Sequence, residues 1–251
     1  MNRLKNTFLL VCTLLTLLFS PAIVLADHNT QVQAIGYSPH GRYFAYEEFG
    51  LTEKSQIAYS RIYFIDMVQI SQVVGTPITY RTNINEEPMT QVRENARTKA
   101  AIFFESLRID HPATVVAMTG DGQLDAKHDT LIFGVPAPQL SEEIAGRNIL
   151  TLSTFDITSA LDCADVLSAP SKGFSLQLEQ NGNSQVVYED SVLSRSRDCP
   201  FAYEIGSIVL PFGATDISQA VGLISAYIQG SEGVERHFLA IPLVKNIMDK
   251  N

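Results

Sequence analysis

The chain has 251 residues, 45% of them hydrophobic, with 18 basic against 27 acidic side chains and a formal charge of −9. This length suits one large domain or two small ones. The acid excess excludes an electrostatic footprint for nucleic acid or anionic lipid.

The first segment reads as an address. Arg3 and Lys5 form a basic start, residues 8–19 ("FLLVCTLLTLLF") are a twelve-residue apolar segment without charges, and Pro21 ends it before "VLA" closes at Ala26. That is the pattern of a secretory signal peptide cleaved after Ala26. The run is too short for a membrane span, which needs about 20 residues. Cys12 sits inside it behind Val11, where a lipidation site wants a small residue, so no lipid anchor is expected. The mature chain, residues 27–251, keeps 16 basic and 27 acidic residues, a charge of −11. It is expected to be a single secreted or periplasmic β-rich domain without a membrane span, with a possible seam near 88–112.

Strand signals come next. "SPHG" (38–41) has turn chemistry, with Pro39 fixing φ and Gly41 free to take the left-handed conformation. "RYFAYEEF" is aromatic-rich and, read as a strand with period two, puts Tyr43, Ala45 and Glu47 on one face and Phe44, Tyr46 and Glu48 on the other; "SRIYFIDM" (60–67) and "TPITY" (76–80) extend an antiparallel meander. The pattern then changes to Met89, Val92, Ala96, Ala100, Phe103 and Leu107, at steps of three and four. This predicts one long amphipathic helix near 88–110, with Pro88 in its first turn, Glu86 and Glu87 at its positive end, and Pro112 stopping it. Its apolar stripe is expected to pack on a sheet.

Strands return at 113–118, 130–135 and 148–157. "FSLQLEQ" and "SQVVYED" flank "NGN" (181–183), the preferred chemistry of a tight primed hairpin turn. "FAYEIGSIVLP", "VGLISAYIQ" and "VERHFLAIPLV" follow. The fold class is therefore mainly β (α+β), antiparallel, with a single long helix.

Two cysteines remain after export, Cys163 and Cys199. An even count in an oxidising compartment points to a disulfide between them, across the Asn-Gly hairpin. The alternative is a thiolate at Cys199 activated by Arg195 and Arg197, but no histidine is near in sequence to serve as its base.

"SPHGRYFAY" with "RIYFID" resembles one blade repeat of the periplasmic translocation protein of the Tol system. It occurs once, and a lone blade cannot bury both faces, so a full propeller is not expected. Taken in order, "GRYFAYEEFG", "YSRIYFID", "GTPITY", "SRSRDCPFAYEI" and "GSEGVERHFLAI" resemble a family of predicted secreted bacterial proteins, mainly α-proteobacterial. The resemblance implies a secreted fold with two paired cysteines and supplies no catalytic residue. The chain departs from it at His40, where the turn usually carries Asp, and at His237, where Arg is commoner.

Motifs for catalysis are missing. No Gly-x-Ser-x-Gly, Ser-x-x-Lys or His-Glu-x-x-His occurs, and "GDGQLD" lacks the third glycine of a dinucleotide loop, so no cofactor is expected. Asp121, Asp125, His128 and Asp129 are the candidate hard-cation ligands, against the plainer reading of a solvated Asp-Gly turn. Glu47 and Glu48 sit among aromatics, as in sugar-binding sites. Being adjacent on a strand they point to opposite faces and cannot flank one glycosidic bond. The expected function is non-enzymatic: binding an envelope partner or small ligand through a β surface. The alternative is a metal-dependent or hydrolytic envelope enzyme of unfamiliar pattern.

Overall fold

The structure is a computed structural model that describes residues 30–52, 54–82, 87–120, 128–137, 144–159, 161–163, 167–230 and 233–244. The signal segment with its cleavage site, Glu86, Asp121 and Asp125 lie outside the described residues. Thirteen strands and one α-helix occur among them. The strands are β1 (Gln31–Tyr37), β2 (Tyr43–Leu51), β3 (Ala58–Asp66), β4 (Ser71–Gln72), β5 (Ile78–Arg81), β6 (His111–Met118), β7 (Thr130–Pro136), β8 (Ile144–Asp156), β9 (Lys172–Gln180), β10 (Asn183–Glu189), β11 (Pro200–Pro211), β12 (Val221–Gly230) and β13 (Gly233–Pro242). The helix, α1, spans Met89–Ser106, and a 3₁₀ turn covers Arg195–Arg197.

A nine-stranded sheet runs β13-β12-β11-β6-β1-β2-β3-β4, with β5 also paired to β3. A four-stranded sheet runs β10-β9-β8-β7. All the ladders between these strands are antiparallel. The large sheet curls until its limbs face each other. Phe44, Tyr46 and Tyr63 from one limb pack on Val221, Leu223 and Phe238 from the other. α1 covers the outside of the first limb, where Ala96 and Ala100 meet Ala45, Ile62 and Phe64. The second sheet covers the outside of the other limb, with Leu150, Leu176 and Leu178 against Ile205, Ile208 and Ile224. The layers are thus helix, sheet limb, sheet limb, sheet.

This layering explains β2. The strand alternates in sequence, yet both of its faces are buried, because α1 lies on one and β13 on the other. The blade-like hairpin β2–β3 is accordingly part of a shared sheet. Its turn is the one expected: Gly41 has φ +68°, and its N–H donates to the Ser38 carbonyl at 2.8 Å. Asn181 and Gly182 are both left-handed, φ +52° and +76°, as a primed turn requires.

The helix ends four residues before the expected Asp110. Arg108 takes φ +53° and breaks the helix, and β6 then begins at His111 and already contains Pro112. Cys163 and Cys199 form a disulfide with Cα atoms 5.5 Å apart, tying the segment after β8 to the start of β11.

Candidate functional site

The adjacent carboxylates of "YEEF" open the site. Both are fully buried, on opposite faces of β2. Glu47 faces α1. Arg93 grips it with two bonds, Nε to Oε1 and Nη2 to Oε2, each 2.9 Å, and Arg97 adds a contact at 3.3 Å. The Ser60 hydroxyl donates to Oε1 at 2.9 Å. Burial alone raises a carboxyl pKa, but the bonds from Arg93 and Ser60 and the two cations hold Glu47 below the ordinary range.

Glu48 faces the interior, where it meets β13. Its Oε1 accepts the Phe238 backbone N–H at 2.6 Å, and its Oε2 accepts the Tyr63 hydroxyl at 3.0 Å and lies 3.2 Å from His237 Nδ1. The Tyr46 hydroxyl donates to the Phe238 carbonyl at 2.6 Å. Both backbone groups on the outer edge of Phe238 are therefore held by β2 side chains. His237 also contacts Glu235 through Nε2 at 3.4 Å. Burial pulls the imidazole pKa down, but bonding to the Glu235 and Glu48 carboxylates outweighs it and pushes the value up to about 9. Arg61 Nη1, 3.4 Å from Nδ1, opposes this, and the balance favours the protonated ring at neutral pH.

β13 pairs with β12 in an unbroken register. Phe238 turns its N–H and C=O outward, and Leu243 donates inward to Ala220, so the even residues of β13 face away from β12. Beyond Phe238 the next such residue is Ala240, followed by Pro242.

Ala240 lines a cavity of about 410 Å³ between the two sheets. Ile65, Ile70, Ser71 and Gln72 come from β3, its turn and β4, Tyr188 from β10, Asp190 from just after it, and Arg197 from the 3₁₀ turn. Arg197 organises the far wall. It bonds both Asp190 oxygens, at 3.0 and 3.3 Å, and the hydroxyls of Tyr188 at 2.6 Å and Tyr203 at 3.2 Å. Asp190 Oδ2 also accepts the Phe174 N–H at 3.0 Å, and the guanidinium lies over the Phe174 ring. Burial pushes the Tyr203 hydroxyl up to about 12 and the Tyr188 hydroxyl up as well, with Arg197 opposing both. These phenols stay neutral; both accept from Arg197, and the Tyr188 hydroxyl donates to Asp190 Oδ1 at 2.6 Å. The Arg197–Asp190 pair cancels its own charge, so the wall is polar without a net charge.

A scan against family models matches residues 45–244 to a family described as "Predicted secreted protein (DUF2259)". The chain belongs to this family. No curated protein and no solved structure matches it. Both β2 carboxylates, α1, the Arg197 cluster and β13 lie within the family span, whereas β1 precedes it. Among the described residues no helix is long and apolar enough to cross a membrane.

Of the candidate cation ligands, only His128 and Asp129 are among the described residues. His128 Nδ1 lies 3.5 Å from Glu204 Oε1, whereas Asp129 Oδ1 accepts the Thr130 hydroxyl at 3.1 Å. Glu47 and Glu48 point apart, as strand geometry requires. The cavity residues escaped sequence reasoning: Arg197 registered only as a neighbour of Cys199. The available signal was a cation two residues from a buried half-cystine, shortly after a strand that carries Tyr188 and is followed by Asp190.

Proposed function

We propose that this family member is an exported, non-enzymatic binding protein whose ligand occupies the cavity between β4, β10 and β13. The observation that carries this reading is the concave wall itself. The Tyr188, Asp190 and Arg197 side chains are cross-bonded and internally neutral, and they face apolar side chains and the Ser71–Gln72 edge across about 410 Å³. Such a mixture of an apolar lining and a few fixed polar groups suits an uncharged polar ligand. The buried acid–base pair beside β13, Glu48 with His237, speaks for binding over catalysis. Both Glu48 oxygens are occupied by protein donors, and an imidazolium with a pKa of about 9 is a poor base at neutral pH.

Gln72 is exposed on a two-residue edge strand, so Gln72→Trp fills the cavity mouth without touching the core. Mature protein is titrated with neutral saccharides and uncharged short peptides. Saturable binding lost in Gln72→Trp is expected; saturable binding unaffected by it, or none at all, rejects the cavity as the site. Export is proposed to remove residues 1–26. The secreted protein should have an intact mass beginning at Asp27, and retention of those residues in a membrane fraction contradicts cleavage.

A further inference from the structure

Backbone amides that fold into a protein interior must be paired, and an unpaired buried N–H costs about 1–3 kcal/mol. On the outer edge of β13 the accounting closes at Phe238 and then stops. Tyr46 and Glu48 hold the Phe238 C=O and N–H. Ala240 is two residues on, with the same outward orientation, and is only 6% exposed. Its N–H and C=O have no hydrogen-bond partner among the described residues, and the residue lines the cavity. Pro242, the next outward residue, has a carbonyl and no N–H.

We infer that the cavity ligand is an extended, uncharged peptide segment that adds to β13 as a strand. This rests on the cavity reading above and specifies its ligand. Two backbone groups of the cavity wall await it, the Ala240 N–H and carbonyl, and the Pro242 carbonyl is next along the same edge, just outside the cavity lining. An antiparallel or parallel partner of about four residues reaches all three, at roughly 3.3 Å per residue. The site has built-in ends. Tyr46 and Glu48 occupy the edge at Phe238, so the added strand stops there, and Pro242 removes the donor at the other end. Alternate side chains of the guest meet the apolar surface of Ile65, Ile70 and Val192, which also line the cavity. The self-neutralised Arg197–Asp190 pair gives no advantage to a charged guest. A saccharide would satisfy the Tyr and Ser hydroxyls yet has no repeating donor and acceptor to match a strand edge.

The test uses the mature protein and a phage-displayed random dodecapeptide library. An enriched peptide is synthesised and titrated by fluorescence anisotropy, and hydrogen exchange at the Ala240 amide is followed by NMR. Ala240→Pro removes the outward N–H without breaking a β12–β13 ladder bond, a position where an edge strand tolerates proline. Strand addition predicts protection of the Ala240 amide in the wild-type complex and about tenfold weaker binding by Ala240→Pro. Absence of enrichment overturns the inference. So does unchanged exchange at Ala240 in the wild-type complex, whatever the variant does. Peptide binding lost in Gln72→Trp but kept by Ala240→Pro leaves the cavity as the site and rejects strand addition. Binding kept by both variants rejects the two together.

Discussion

The Phe238 N–H donates to Glu48 Oε1 at 2.6 Å across a sequence separation of 190 residues. With the Tyr46 hydroxyl on the Phe238 carbonyl, this contact joins the limbs of the curled sheet through side chains where a closed barrel would use a backbone ladder. Tyr46→Phe leaves the Phe238 carbonyl unpaired in the interior and should cost about 1–3 kcal/mol in urea unfolding. Glu48→Gln should cost more, since an amide cannot accept from Tyr63, His237 and Phe238 together. Wild-type stability in both variants would mean that the limbs are held by apolar packing alone.

His237 makes stability depend on pH at the alkaline side. Its folded pKa of about 9 lies above the ordinary 6.5, so the stabilisation is fully present below pH 6.5 and is lost as pH rises through 9. A shift of that size corresponds to about 3 kcal/mol. Unfolding midpoints measured between pH 6.5 and 9.5 should therefore fall, and His237→Gln should flatten the profile in that window. An equal slope in the variant would assign the effect to another group.

Arg93 and Glu47 are unequal partners. The Glu47 side chain is fully buried, whereas Arg93 and Arg97 keep 25% and 45% of theirs in solvent. Arg93→Ala leaves the buried carboxylate with only the longer Arg97 contact and the Ser60 hydroxyl, and should cost up to about 3 kcal/mol at neutral pH. Glu47→Gln should cost less, because the arginines rehydrate. The depressed pKa of Glu47 contributes stability that is present at neutral pH and lost as pH falls through its folded value. The Arg93→Ala deficit should accordingly shrink at acid pH, where the carboxyl protonates. A pH-independent deficit in thermal unfolding would point to lost packing of Arg93 on the Phe49 ring instead.

Cys163 and Cys199 close a loop with a sequence separation of 36. In the chain-entropy model a loop of this length restrains the unfolded state by about 4 kcal/mol. The double variant Cys163→Ser, Cys199→Ser should show a loss of that order, and oxidised wild-type protein should not react with a thiol reagent until unfolded and reduced. Two titratable thiols in denatured, unreduced protein would remove the bond from the account.

Local rules fixed much of this molecule. Period-two alternation marked β2 and β3, the three-and-four spacing from Met89 marked α1, and Asn181–Gly182 marked the β9–β10 turn, because each depends on residues a few positions apart. The same rule placed Glu47 and Glu48 on opposite faces. What each carboxylate meets was decided elsewhere: one finds Arg93 on a helix and the other the edge of β13, neither readable from β2. The helix end moved from Asp110 to Ser106 because Arg108 turns left-handed where β6 must begin beside β1. The cavity depended still more on tertiary structure. Its walls come from β3 and β4, from β10 and the 3₁₀ turn, and from β13, segments brought together only when the sheet curls. Ala240 has an outward N–H because of strand parity, and that N–H lacks a partner because no described strand continues the sheet past β13. Sequence spacing sets the parity; only the curl of the sheet puts a cavity beside it.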